Sequence, residues 1–244
     1  MPTATPTRTP SPTFTPTATP LPTVEKPIIA EWSTLDSYHL QMTMRIGTEP
    51  ASQFVQWRLL YDWANQPRAY HMVLSMEGTG LPHPEIPMKV DAIGIGDTIW
   101  SKVGGQWMQT QSPAAQSMRG NWEGLEKNFR DLQLSGEETV NGIQCKRYAV
   151  DENLPSVSVF GLETLASHAL GDIWVAHRPD LPTVVIRLQV QIRMKASAAR
   201  TAGPSPILML RATPPPESVW SWDYEVTHVN APIVIRPPAG FRSP

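Results

Sequence analysis

Five stretches of this 244-residue chain alternate apolar and polar side chains with a period of two, which restricts them to half-buried β-strands. In the first, Tyr38, Leu40, Met42, Met44 and Ile46 alternate with His39, Gln41, Thr43 and Arg45. The second sets Val55, Trp57, Leu59, Tyr61 and Trp63 against Gln56, Arg58 and Asp62, and the third sets Tyr70, Met72, Leu74 and Met76 against His71, Ser75 and Glu77. Toward the C-terminus, Val184, Ile186, Leu188, Val190, Ile192 and Met194 alternate with Arg187, Gln189, Gln191, Arg193 and Lys195. Last, Trp220, Trp222, Tyr224 and Val226 alternate with Ser221, Asp223, Glu225 and Thr227. A slip of one residue would turn every apolar side chain to water, so register is strongly specified.

Shorter strands fill the middle of the chain. One begins at Met88, Val90 and Ala92, with a bulge expected near Gly94 where the phase changes. Gly104-Gly105 and Asn141-Gly142 each join two strand-like runs and predict tight hairpins. Asp172 to His177 reads as a further strand. Two segments read as helices: one carries Met118, Trp122, Leu125, Phe129 and Leu132 at spacings of three and four. The other, Pro155 to Ala169, places Val157, Leu162, Leu165 and Ala169 on one stripe and stops at Gly171. The expected fold is α+β: a large curved antiparallel sheet, an open half-barrel, with these helices covering part of its concave face.

The N-terminus is of another kind. Residues 1–23 contain nine Thr and seven Pro, and Pro-Thr-Ala-Thr-Pro occurs twice. Proline at this density removes backbone donors and fixes φ, so an extended, solvated segment is expected. In a polyproline II conformation it would reach roughly 70 Å at about 3.1 Å per residue. Residues 1–27 thus read as a tether, with the folded domain at 28–244. A signal peptide ending in a lipid-accepting cysteine is expected upstream of the tether.

Composition narrows the function. A net charge of −2 gives no electrostatic footprint for nucleic acid or an anionic membrane surface. The single cysteine, Cys145, allows no intramolecular disulfide. No stretch approaches the ~18 apolar residues of a transmembrane helix. The six histidines are dispersed without metal-ligand spacing, no nucleophile elbow or phosphate-binding loop is present, and no cofactor is expected. His39 and His71 fall on polar strand faces, where solvated side chains are the ordinary reading, and Asp62, Glu77 and Asp91 read as surface charges. Cys145 is flanked by Lys146 and Arg147, which would favour a thiolate, yet a buried strand residue is the simpler reading.

The apolar faces carry the most information. They are rich in Met, Trp and Tyr, which suit adaptable surfaces and the mouths of pockets. Two helices cannot cover so wide a sheet, and the remainder should form a cavity, groove or interface. The candidate ligand-binding residues are Tyr38, Leu40, Met42, Met44, Trp57, Leu59, Tyr61, Tyr70, Met72, Leu74, Met88, Val90, Ile186, Leu188, Val190, Trp220, Trp222 and Tyr224. An ordinary packed core of Met and aromatic residues is the competing reading.

Several phrases carry a resemblance. Trp32 to Tyr38 leads into the first long strand, and Gly96-Asp97-Thr98-Ile99-Trp100 precedes Gly104-Gly105-Gln106-Trp107. Then come Glu138 to Tyr148 around Asn141-Gly142, the run Asp172-Ile173-Trp174-Val175, and Tyr224 to Pro238 with Asn230-Ala231-Pro232. In order and spacing they resemble the bacterial lipoprotein-carrier superfamily of LolA-like and LppX/LprG-like proteins, across nearly all of residues 28–240. The Pro-rich stretch at 201–217 departs from that pattern. The resemblance implies a non-catalytic lipoprotein of the cell envelope or cell surface that binds a lipid or other hydrophobic ligand in the concave face of its sheet. Its membrane contact would be only through an upstream lipid anchor. An envelope sensory module that docks a protein partner with the same sheet is the alternative.

Overall fold

The computed structural model of the chain describes residues 27–48, 53–81, 88–103, 105–110, 125–159, 162–195 and 217–239. Twelve strands account for most of them: β1 (Ser37–Thr48), β2 (Phe54–Asn65), β3 (Arg68–Glu77), β4 (Met88–Ile95), β5 (Thr98–Val103), β6 (Gln106–Thr110), β7 (Gln133–Val140), β8 (Ile143–Glu152), β9 (Ser156–Val159), β10 (Leu162–Ala176), β11 (Val185–Lys195) and β12 (Glu217–Thr227). The five alternating runs of the sequence lie within β1, β2, β3, β11 and β12, except for Val184, which stands just before β11.

The strands pair in the order β6-β5-β4-β3-β2-β1-β12-β11-β10-β8-β7, with β9 joined to β10 off this path. Each strand in this path pairs antiparallel to its neighbours, so the sheet is two meanders, β1–β6 and β7–β12, joined where the first and last strands meet. The sheet does not close, because β6 and β7 end the path.

The tight turns follow from the residues placed there. Asn141 and Gly142, between β7 and β8, have φ of 52° and 76°. Two consecutive positive φ values fit the right-handed twist of a two-residue hairpin, which is why Asn-Gly is favoured there. Gly105, before β6, has φ +85° with open space around its Cα.

Three expectations about local structure need correction. Within the segment expected to be a helix from Pro155 to Ala169, Ser156–Val159 form β9 and residues 162–169 form the first half of β10. Three and four apart, Leu162, Leu165 and Ala169 do not share one strand face, and β10 carries a register shift between Ala166 and His168. That bulge adds one residue to the alternation, so Ala166 and Ala169, three apart as on a helix, both turn inward and are buried. Gly171 is not a helix stop but lies inside β10, between Val150 and Val190, where a Cβ would come within 2.1 Å of the Gln189 carbonyl oxygen. Gly94 makes no bulge, for β4 pairs in continuous register on both sides. Its missing side chain instead leaves room for the Tyr70 ring, which an added Cβ would approach to 2.2 Å.

The helical cover is also absent among the described residues. What helical structure they hold is two 3-10 turns, Trp32–Thr34 and Leu125–Asn128. Met118 and Trp122, expected on the first helix, lie outside the described residues. The described residues are therefore almost wholly β. No helix among the described residues is long and apolar enough to cross a membrane.

Candidate ligand-binding face

Directly opposed residues in an antiparallel sheet share a face, so the register defines rows of side chains across it. One row runs Tyr148, Ile173, Leu188, Tyr224, Met42, Leu59, Leu74 and Val90 from β8 to β4. The next runs Val150, Gly171, Val190, Trp222, Met44, Trp57, Met76 and Met88. Every position in both rows is apolar apart from Gly171 and the phenol oxygens. This is the apolar face.

Its two halves differ. Across β8–β12, β1 and β2 the row is closed, with Tyr148 at 1 %, Leu188 at 0 % and Leu59 at 0 % exposure. Trp32 and Leu35 from the first 3-10 turn, Leu125, Phe129 and Leu132 from the second and its continuation, and Leu154 and Val157 near β9 all join the same core. Trp32 is fixed there by donating its indole N–H to the Val185 carbonyl at 2.9 Å, and its ring meets Tyr224 edge-on at 5.1 Å. Tyr224 donates its hydroxyl to the buried Glu126 carboxylate at 3.4 Å. On β3 and β4 the same rows open: Leu74, Met76 and Met88 are only partly buried, and Val90 is 40 % exposed.

The candidate residues sort along this boundary. Tyr70, Leu74, Met88 and Val90 lie at the open end; the other candidates, from Tyr38 to Tyr224, are buried in the packed core. Met76 belongs to the open end too, opposite Met88, although the candidate residues did not include it. An aromatic chain leads from one half to the other. Trp32 lies 5.9 Å from Tyr38, Tyr38 lies 6.0 Å from Tyr61, and Tyr61 stacks on Tyr70 at 6.0 Å. Burial pushes the Tyr70 phenol pKa up, so it stays a neutral hydrogen-bonding group.

The opposite face is polar, and there the structure departs from simple solvation. His39 Nδ1–H donates to Asp62 Oδ1 at 2.5 Å, His71 Nδ1 lies 3.7 Å from Asp62 Oδ2, and His71 Nε2 lies 3.0 Å from Asp91 Oδ1. His39, Asp62 and His71 are direct cross-strand partners on β1, β2 and β3. The alternation placed each on a polar face, but only strand pairing brings them together. Asp62 and Asp91 are therefore not isolated surface charges, whereas Glu77 is half exposed and meets Arg58 at 3.1 Å. A shallow, solvent-open depression lined by Lys89, Asp91, Lys102 and Gly105 lies on this polar side. Its charges make it a poor match for an apolar ligand.

Cys145 is buried at 1 % exposure, and burial pushes its thiol pKa up to about 11 despite the neighbouring Arg187. At neutral pH it is a thiol, not a thiolate. Among the described residues, no group of three or more His, Cys, Asp or Glu side chains is placed to hold a metal ion.

No protein-family model and no curated protein matches the sequence. Among solved structures the chain is similar in fold to LprF from Mycobacterium bovis, with 13% identity over 84% of this chain and 90% of that one and a TM-score of 0.45. It is likewise similar to the lipoprotein LppX from Mycobacterium tuberculosis, with 14% identity over 84% and 91% and a TM-score of 0.41. A LolA superfamily protein from Nitrosomonas europaea matches with 11% identity over 79% and 86% and a TM-score of 0.26.

Proposed function

We propose that this chain is a non-catalytic extracytoplasmic protein that holds a lipid or another hydrophobic molecule against the open end of its apolar face. Residues 1–27 are its tether to an envelope surface. The observation that carries the reading is the change in burial along one row, from 0 % at Leu59 to 40 % at Val90. Apolar surface left in water at the end of an otherwise dry core is a place where a hydrophobic ligand gains free energy, at about 25 cal/mol per Å² removed from water. Met76 and Met88 face each other there, and unbranched thioether side chains can repack around ligands of different shape. The rows present no charged side chain to the ligand, so a charged headgroup would stay outside.

Native mass spectrometry of protein purified without detergent tests the reading. The expected result is a bound lipid-sized mass that a fluorescent fatty acid displaces. An apo mass alone, together with no fatty-acid binding, would overturn it.

A further inference from the structure

The histidine and aspartate ladder on the polar face backs the same strands that carry the open end. His71 is its pivot. Both of its ring nitrogens face carboxylates, Nδ1 toward Asp62 and Nε2 toward Asp91. A neutral imidazole has one N–H, and two ionised carboxylates are acceptors only. Nε2 is within hydrogen-bond distance of Asp91 at 3.0 Å and Nδ1 at ion-pair distance from Asp62 at 3.7 Å, so only the doubly protonated, charged ring can donate to Asp91 and still present a positive N–H to Asp62. The ring ties β2, through Asp62, to β4, through Asp91, across β3.

We propose that this ladder is a proton-operated latch: with His71 protonated it braces β2, β3 and β4 behind the open end, and with His71 neutral it releases one carboxylate and loosens that end. What the latch controls, ligand affinity, rests on the function proposed above; its existence does not.

The surroundings favour the protonated ring. The Asp62 carboxylate does most to push the His71 pKa above its usual 6.5; burial opposes this, and Asp91 adds to the rise. In return His71 does most to hold Asp62 below its usual 3.8, against burial and with help from His39. The other groups near His71 modulate this. His39 reaches it through Asp62, and the His228 ring meets His39 edge-on at 6.3 Å. Lys102 on β5 is the direct partner of Asp91, and Lys89 lies two residues along β4 from it. Arg58 on β2 is engaged with Glu77.

The signs set the working range. A raised histidine pKa gives stability that is complete below the unfolded value of 6.5 and is lost as pH rises through the folded value. A lowered aspartate pKa gives stability that is complete above 3.8 and is lost as pH falls through its folded value. The latch is closed under mildly acidic conditions and opens toward alkaline pH.

The test follows the full chain from pH 5.5 to 9. The His71 Cε1 proton is titrated by NMR, amide exchange is read on β3 and β4, and a fluorescent fatty acid reports Kd. The expected result is a His71 midpoint above the ordinary value. Local opening of β3 and β4 should increase through that midpoint, by about tenfold for each unit of pKa shift, and Kd should weaken in step. His71→Gln should abolish both responses, and His168→Gln, remote on β10, should preserve them. A His71 midpoint at or below the ordinary value, or exchange that ignores pH, would overturn the latch. Exchange that responds while Kd stays flat would overturn its control of binding. If no fatty acid binds at any pH, the function proposed above fails and exchange alone decides the latch.

Discussion

Met42 and Val90 occupy one cross-strand row, three strand pairings apart, yet Met42 is 3 % exposed and Val90 is 40 % exposed. The two ends of the row should therefore answer to different measurements. Val90→Asp places a charge where a ligand would lie, and should weaken fatty-acid binding at least about tenfold while changing stability by less than about 0.5 kcal/mol. Leu59→Ala, in the closed part, should cost about 2–5 kcal/mol in urea unfolding through the cavity it leaves. Equal stability losses in the two variants would mean that the open end is core, and the ligand site would have to be abandoned.

Two glycines make a paired test of the sheet. At Gly171 an added Cβ would meet the backbone of β11, 2.1 Å from the Gln189 carbonyl oxygen, at φ +157°. Strand backbone held on both sides cannot move away as a side chain can. Gly171→Ala should therefore cost about 3 kcal/mol or shift the register of β10. Gly96 has φ +58° but nothing within 4 Å of where its Cβ would stand. Gly96→Asn should cost under about 1 kcal/mol, since Asn tolerates that region. Urea midpoints of the two variants check the contrast.

What could be read from the chain followed the length of the local pattern. The long strands β1, β2, β3, β11 and β12 were legible because each repeats a period of two for eight or more residues. The second half of β10 was legible from Asp172 onward, but its first half was not, because a register shift between Ala166 and His168 interrupts the alternation and leaves Leu162, Leu165 and Ala169 at helix-like spacings. The candidate face was legible as a set of apolar residues. Its division into a closed core and an open end was not, since Trp32, Leu125 and Phe129 reach the face from segments with no strand period. The His39, Asp62 and His71 ladder was visible only as three polar positions, because cross-strand register belongs to the fold and not to any single strand.

Cys145 gives a direct probe of the closed half. With its thiol pushed up to about 11 and its side chain 1 % exposed, the folded protein should not react with a thiol-specific disulfide reagent at pH 8. In denaturant the same cysteine, near an ordinary pKa of about 8.5, should react within minutes. Rapid labelling of the folded protein at pH 8 would show that the β8 side of the core opens readily.

Trp174 on the polar side of β10 lies between two guanidinium groups, Arg147 at 5.2 Å and Arg187 at 5.5 Å from its ring. Arg147 also donates two hydrogen bonds to Asp172, both at 2.9 Å, and Trp174 donates its indole N–H to Glu138 at 2.8 Å. A planar guanidinium can stack on the ring and grip the carboxylate with two donors at once, whereas an ammonium cannot do both. Arg147 is 43 % exposed at its side chain, so the contribution is modest. Arg147→Lys should cost about 1 kcal/mol in urea unfolding, with roughly half of that surviving at 1 M salt because ring stacking is screened less than the ion pair. In the Asp172→Asn background the same substitution should cost less, and the difference between the two costs measures the coupling of Arg147 to its carboxylate. Equal costs in the two backgrounds would show that the bidentate pair adds nothing beyond the ring contact.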